Sequence, residues 1–145
     1  MPRWVEQGFD DYARRMPAEC RLALREIPLG RRGKGADTAR ARRAEGERML
    51  AALPQGARAV ALDERGRQWS SPELARGLSQ WLQQGRDVAL LVGGPDGLDP
   101  AVAARAESTW SLSRLTLPHA LVRVVVAEQL YRAWTILARH PYHRA

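Results

Sequence analysis

Cysteine, lysine and long apolar runs are nearly missing from this chain, and each shortage narrows what it can be. The one cysteine among 145 residues, Cys20, excludes an internal disulfide and any cysteine cluster for metal. It fits a reducing compartment, and its apolar surroundings read as those of a structural thiol rather than a nucleophile. No apolar run approaches the length of a membrane span. Met1-Pro2-Arg3-Trp4 leads straight into a helical pattern with no charged-then-apolar leader, so a cytoplasmic protein is expected. With no internal repeat and no low-complexity tract, residues 1–145 read as a single domain. Lysine occurs once, at Lys34, although Lys and Arg together number 23, so the formal charge of +7 is carried by arginine. That charge suits a polyanionic partner. An arginine skew beside many alanines fits coding bias equally well, so charge needs support from position.

What is present alternates between helical and strand periods. Trp4, Val5, Phe9, Tyr12 and Met16 recur at helical spacing over 4–16. Residues 20–28 (CRLALREIP) alternate and end at a proline, which predicts a strand. A flexible basic loop, 29–35, follows, and Asp37 or Thr38 is placed to cap a helix over 38–53. Residues 57–63 (ARAVALD) predict a second strand, and Glu64-Arg65-Gly66-Arg67 a polar turn after it. Ser70 or Ser71 opens the next helix, with Pro72 at an early position and Glu73 able to close a capping box with Ser70. Leu74, Leu78, Trp81 and Leu82 share one face of that helix until Gly85. Residues 87–93 (DVALLVG) are nearly all apolar, as in a central strand covered on both faces. A short helix over 99–107, a short strand near 109–114 and a long helix from about 120 to 138 complete the chain. The alternation predicts an α/β fold, a mostly parallel sheet with helices on both faces.

Gly93-Gly94-Pro95-Asp96-Gly97 lies after a strand, at the end where open α/β sheets bind ligands. Paired glycines let a ligand approach the backbone. The same residues are also a good turn sequence, and the dinucleotide spacing G-x-G-x-x-G is absent. Residues 110–119 (WSLSRLTLPH) keep neither a strand nor a helix period. Their backbone polar groups need partners, which a ligand or an ordinary loop can supply. On the long helix Glu128, Arg132, Thr135 and Arg139 fall in one stripe, and nearly everything else is apolar. So wide an apolar arc predicts burial against the sheet and against another surface, such as a second subunit. Arg123 stands in that arc within the first turn, where its charge opposes the helix dipole; it either snorkels outward or meets an anion. Glu128 and Arg132 read as a surface i,i+4 salt bridge. The tail His140-Pro141-Tyr142-His143-Arg144 lacks the carboxylates or cysteines that would make its histidines a metal site. It reads either as a frayed terminus or as a ring, a His and an Arg suited to stacking on a base and holding its phosphate.

Four stretches together carry a family resemblance: GRRGKGAD (30–37), LVGGPDGL (91–98), SLSRLTLPHALVRVVVAEQLYRAW (111–134) and HPYHR (140–144). In this order, over essentially the whole chain, they resemble the bacterial 23S ribosomal RNA pseudouridine-N3 methyltransferases, small enzymes of the SPOUT class. The resemblance implies a homodimer of parallel α/β domains, each with its C-terminal part tied in a trefoil knot, which periodicity does not reveal. It implies S-adenosylmethionine as cofactor, bound by Leu62, Gly93, Leu112, Ser113, Arg114, Leu115, Thr116 and Leu117. These positions fall in the strand-end segments picked out above. The implied partner is ribosomal RNA, in the large subunit or the assembled ribosome, with no membrane involved. Family members normally begin with a further short strand before the first helix; this chain starts at Met1-Pro2-Arg3-Trp4, so the sheet is expected to lack it.

The implied reaction is methyl transfer to N3 of a pseudouridine. The sulfonium activates its own methyl group, so the protein's main task is alignment, worth about 7–11 kcal/mol. The N3 proton must leave, and His119 and His143 are the candidate bases. Tyr142 is placed to stack on the base, and Arg123 and Arg144 to hold phosphate or stabilise the imide anion. Two other readings stand beside this one. A non-catalytic ribosome- or RNA-binding protein that retains the fold would not bind S-adenosylmethionine. An α/β enzyme on a small nucleotide would act on free nucleotides and not on ribosomes.

Overall fold

The computed structural model describes residues 2–29, 37–94 and 96–144. The chain opens with α1 (Arg3–Ala13), which buries Val5 and Phe9. A 3-10 turn, Ala18–Cys20, follows. The strand predicted over 20–28 does not form: Cys20 ends the turn, and 21–29 carry no regular structure. Alternation alone does not make a strand, because a strand exists only through the ladder it shares with a neighbour. Here side chains hold the segment instead, Arg48 donating to the Pro28 carbonyl at 3.1 Å and Arg25 to the Ala52 carbonyl at 3.2 Å. Burial, and after it the charge of Glu19, push the Cys20 thiol above its ordinary value, which leaves it protonated and unreactive. The predicted basic loop, beyond Leu29, lies outside the described residues.

Local capping rules place the next helices. Helix α2 (Thr38–Ala52) is capped by Asp37, whose carboxylate accepts from the Ala39 and Arg40 amides. Helix α3 (Ser71–Gln84) carries the full capping box: the Glu73 amide donates to Ser70 Oγ at 3.2 Å and the Ser70 amide to Glu73 Oε1 at 3.0 Å. It ends at Gly85, with φ +71°.

Among the described residues three parallel strands form the sheet, in the order β2-β1-β3: β1 (Arg58–Gln68), β2 (Val88–Val92) and β3 (Ser108–Ser111). Helices cover both faces. Val60 packs with Leu74, Ala75 and Leu78 of α3 and with Val126, Leu130 and Ala133 further along the chain. Its neighbour Ala59 points the other way, with Leu91, onto Val102 of α4 (Pro100–Arg105) and onto Met49 and Leu50 of α2. The expected α/β architecture is therefore the observed one.

Two details of the sheet differ from expectation. Residues 64–67, expected as a turn, lie inside β1, which leaves its ladder after Leu62 and rejoins it at Arg67. Leu62 and Arg67 both pair with Trp110, so the residues between them form a bulge. Gly66 permits this, because a Cβ there would lie 2.7 Å from Thr109 Cγ2 and 2.8 Å from its carbonyl. The apolar run of 87–93 forms an edge strand among the described residues, not a central one. Apolar residues on both sides of a strand report that both faces are covered; they do not report its rank in the sheet.

The last helix, α5 (His119–Leu137), lies against α3 and α1. Gly8 of α1 faces Val124, which leaves no room for a side chain larger than hydrogen without adjustment. Part of the wide apolar arc of α5 is thus met within the chain. The helix ends in a 6→1 and 5→2 bond pair, the His140 amide donating to the Thr135 carbonyl at 2.8 Å and the Arg139 amide to Ile136 at 3.3 Å. Arg139 sits at φ +58°, the one described non-glycine residue with positive φ. That conformation costs an ordinary residue about 1–2 kcal/mol.

Candidate cofactor cavity and tail

A cavity of about 690 Å³ opens where β2 and β3 end and where β1 leaves its ladder. Its size falls within the ~300–1,000 Å³ of small-ligand pockets. Of the residues the resemblance implied, Leu62, Gly93, Leu112, Ser113, Leu115, Thr116 and Leu117 all line it, and Arg114 does not.

Each wall has a local cause. Residues 112–118 are irregular because their serines bond to the backbone in place of a ladder. Buried Ser111 donates through Oγ to the Ser113 carbonyl at 2.9 Å, and Ser113 Oγ accepts from the Leu115 amide at 2.9 Å. The bulge of β1 supplies a second wall, Asp63, Glu64 and Arg65. Glu64 accepts a hydrogen bond from the Thr116 hydroxyl, which ties this wall to the first. Asp63 receives the Arg65 guanidinium at 3.1 Å and the Arg65 amide at 2.8 Å, and these bonds hold its carboxyl below the usual range.

The glycine turn forms the third wall, closed by the Gly97 amide donating to the Gly94 carbonyl at 3.1 Å. Pro95 lies outside the described residues. The reason for glycine at position 93 is packing within the turn: a Cβ there would lie 2.6 Å from the carbonyl carbon of Gly97. At Gly94 a Cβ would meet Leu29 at 3.1 Å and the carboxylate of Glu45 at 3.4 Å.

Two features of these walls escaped the sequence reading. Reading Glu64 and Arg65 as a polar turn, with Asp63 closing the strand before it, does not mark these three as cavity residues. Glu45 is buried on α2 beneath the glycine turn. Its signal was spacing: it shares a buried helical stripe with Ala41, four residues before it.

The predicted catalytic residues fall into two groups. His119 and Arg123 stand at the N-terminal end of α5, where both line a second cavity of about 460 Å³ between Pro2, residues 26–29 and the helix. His119 lines the larger cavity as well, so it stands between the two. Tyr142, His143 and Arg144 belong to a 3-10 turn, Pro141–Arg144, beyond the other end of α5. The 19 residues of α5 span about 28 Å at 1.5 Å per residue. Within one chain the tail therefore does not meet His119.

The tail is not frayed. Tyr142 donates its hydroxyl to Glu128 Oε2 at 2.8 Å, its ring lies edge-on to Tyr131 at 4.7 Å, and the Arg132 guanidinium sits 5.1 Å over it. Burial first, then the bond to Glu128, hold the Tyr142 phenol well above its ordinary value of 10. The Glu128–Arg132 pair, read from sequence as a surface salt bridge, is instead largely covered, at 18% and 26% exposure, and it anchors the tail. Spacing on the helix gave the pair; nothing in it showed that Tyr142 folds back on top. His143 Nδ1 is buried without a hydrogen-bond partner among the described residues. Those residues also contain no cluster of three or more metal-ligating side chains and no helix long and apolar enough to cross a membrane.

Parallel strands, a tight glycine turn and irregular backbone converging on one cavity are the arrangement by which α/β proteins bind small ligands at their strand ends. The chain belongs to the SPOUT methyltransferase family: residues 1–143 match the family described as "Predicted SPOUT methyltransferase". It is 59% identical over 144 residues to a "Ribosomal RNA large subunit methyltransferase H" of Methylococcus capsulatus, covering 99% of this chain and 93% of that one. A protein of the same name from Marinomonas sp. is 55% identical and one from Pseudomonas aeruginosa 58% identical, with the same coverage. The family implied by the motifs is the one the comparisons show, and the chain is a methyltransferase.

Proposed function

We propose that this chain transfers a methyl group from S-adenosylmethionine to N3 of a pseudouridine in large-subunit ribosomal RNA. In this reading it acts in the cytoplasm as a homodimer, each single-domain chain carrying the C-terminal knot of its class. The relatives' shared name supports the RNA substrate, and the arginine surplus suits it.

The observation that carries the reading is the 690 Å³ cavity, bounded by a turn whose Gly93 leaves no room for a Cβ and by the irregular 112–118 segment. These features fit the cofactor: its adenosine has polar edges for backbone groups, and the cavity is large enough to enclose it. Gly93, Leu62, Leu112, Ser113, Leu115, Thr116 and Leu117, the implied residues that line the cavity, hold it. Once bound, the cofactor supplies a methyl group already activated by its sulfonium. The chain's own work is then orientation and proton handling. In this reading His119, which lines both cavities, takes the N3 proton, and Arg123, one turn on, meets the negative charge that develops.

The tail roles require a second copy. Tyr142 docks on Glu128, about 14 Å along α5 from His119 in its own chain, so the tail that completes a site comes from the partner.

The test is labelled methyl transfer to ribosomes from a strain lacking the modification, followed by nucleoside analysis. Label in 3-methylpseudouridine is the expected result. Label in another nucleoside would overturn the target assignment. Tight cofactor binding with no transfer to any RNA would overturn the substrate class.

A further inference from the structure

We propose that Arg139 is a phosphate contact of the RNA-binding surface, kept at a position where the fold by itself favours a different residue. The proposal rests on the RNA reading above. Arg139 occupies the left-handed position just past the end of α5, at φ +58°. Glycine adopts that conformation freely and asparagine more readily than other residues, so the helix end gains nothing from a long side chain there. A strained residue held in place by its surroundings points to a use outside the fold.

The guanidinium has what that use needs. Arg139 is exposed, and among the described residues it has no acidic partner. The two arginines that cover the Tyr12, Tyr131 and Tyr142 rings are already paired with carboxylates. Arg15 is bound to Asp11 at 3.0 Å and covers Tyr12 and Tyr131. Arg132 is bound to Glu128 at 2.9 Å and covers Tyr142. Arg139 leads directly into His140, whose ring packs at 6.5 Å from Tyr131, and so into the tail. A guanidinium without an acidic partner matches the planar, two-oxygen edge of a phosphate, and phosphate contacts set the register of a protein on RNA.

The test compares Arg139→Asn, Arg139→Gly and Arg139→Lys with the parent chain. The Asn and Gly variants suit the backbone better, so both should fold and melt above the parent. Binding to purified ribosomes lacking the methyl group, titrated across salt concentrations, should weaken several-fold in both. The log–log salt slope should fall by about one. Turnover at saturating ribosome should hold while KM rises, and Lys should retain the parent's slope. If Arg139→Asn keeps the parent's affinity and slope, the proposal fails while the RNA reading stands. If Lys behaves as Asn does, charge at this position is not what RNA reads, and the proposal also fails. A parent chain that binds no ribosomes would overturn both.

Discussion

An alanine at Gly93 should weaken cofactor binding while the domain stays folded, and the geometry sets the size of the effect. The added Cβ would lie 2.6 Å from the carbonyl carbon of Gly97 and 2.9 Å from its Cα and oxygen. Carbon atoms not bonded to each other settle at about 3.5–4.0 Å, so roughly 1 Å must be found. The obstructing atoms are backbone, so no side chain can swing aside. The turn itself must open against the Gly97–Gly94 hydrogen bond. Overpacking of this kind costs about 1–3 kcal/mol. Where the free protein relieves it by opening the turn, cofactor binding must close the turn again and loses that amount. At about 1.4 kcal/mol per factor of ten, the Kd rises roughly 5- to 150-fold. Where the turn stays closed, the same strain appears as a lower melting temperature. Titration calorimetry with S-adenosylmethionine and thermal melting of one preparation read both shares. Gly97→Ala is the control: its φ of +78° carries left-handed strain, but no atom stands within 4 Å of the new Cβ. Wild-type affinity together with wild-type melting in Gly93→Ala would refute the reasoning, because the clash would then have no cost.

Thr116→Val removes the hydroxyl that ties residues 112–118 to Glu64, and cofactor affinity should fall about fivefold, the worth of roughly 1 kcal/mol, with melting unchanged. Equal affinity by calorimetry would show that the tie does not shape the cavity. The Tyr142 phenol is raised by folding, so the stability it gives the docked tail is complete below the unfolded value near 10 and is lost as pH rises through the folded one. Tyrosinate absorbance should show one ring titrating late, and Tyr142→Phe should remove that ring from the curve; an unchanged curve would mean the tail is undocked in solution. For the dimer, a Gly93→Val chain and a chain lacking residues 142–145 should each be inactive alone. Their isolated heterodimer should regain about half of wild-type turnover if its two sites act independently. An inactive heterodimer would place the tail on its own chain's cavity.

The parts of the fold that rest on neighbours in sequence were legible. Ser70, Glu73 and Gly85 satisfy or terminate helix ends within a few residues, so their pattern needs no knowledge of the rest of the chain. The alternation of Ala59 and Val60 onto opposite faces likewise follows from strand geometry alone. What was misread depends on distant residues. Residues 20–28 have a strand's alternation without a strand's partner. Residues 64–67 have a turn's composition, yet rejoin β3 because Gly66 lets Thr109 come close. In the site, the lining residues of 112–117 were reached through motif resemblance. Glu45, by contrast, came into view only when α2 was placed beneath the glycine turn.

Helix α5 binds these observations into one geometric argument. Its first residue stands between the two cavities, and its end sets the direction of the tail through Arg139. Between them, Glu128 takes the Tyr142 hydroxyl and Arg132 covers the ring, so the tail is fixed to the helix that separates it from His119. A flexible tail could fold back some distance toward its own cavity. One held by a hydrogen bond, a ring contact and a left-handed helix end has its position set by the helix. In the proposed reading a site that uses both His119 and Tyr142 would be assembled from two copies, and the contacts that dock the tail in one chain would fix the position it offers to the other.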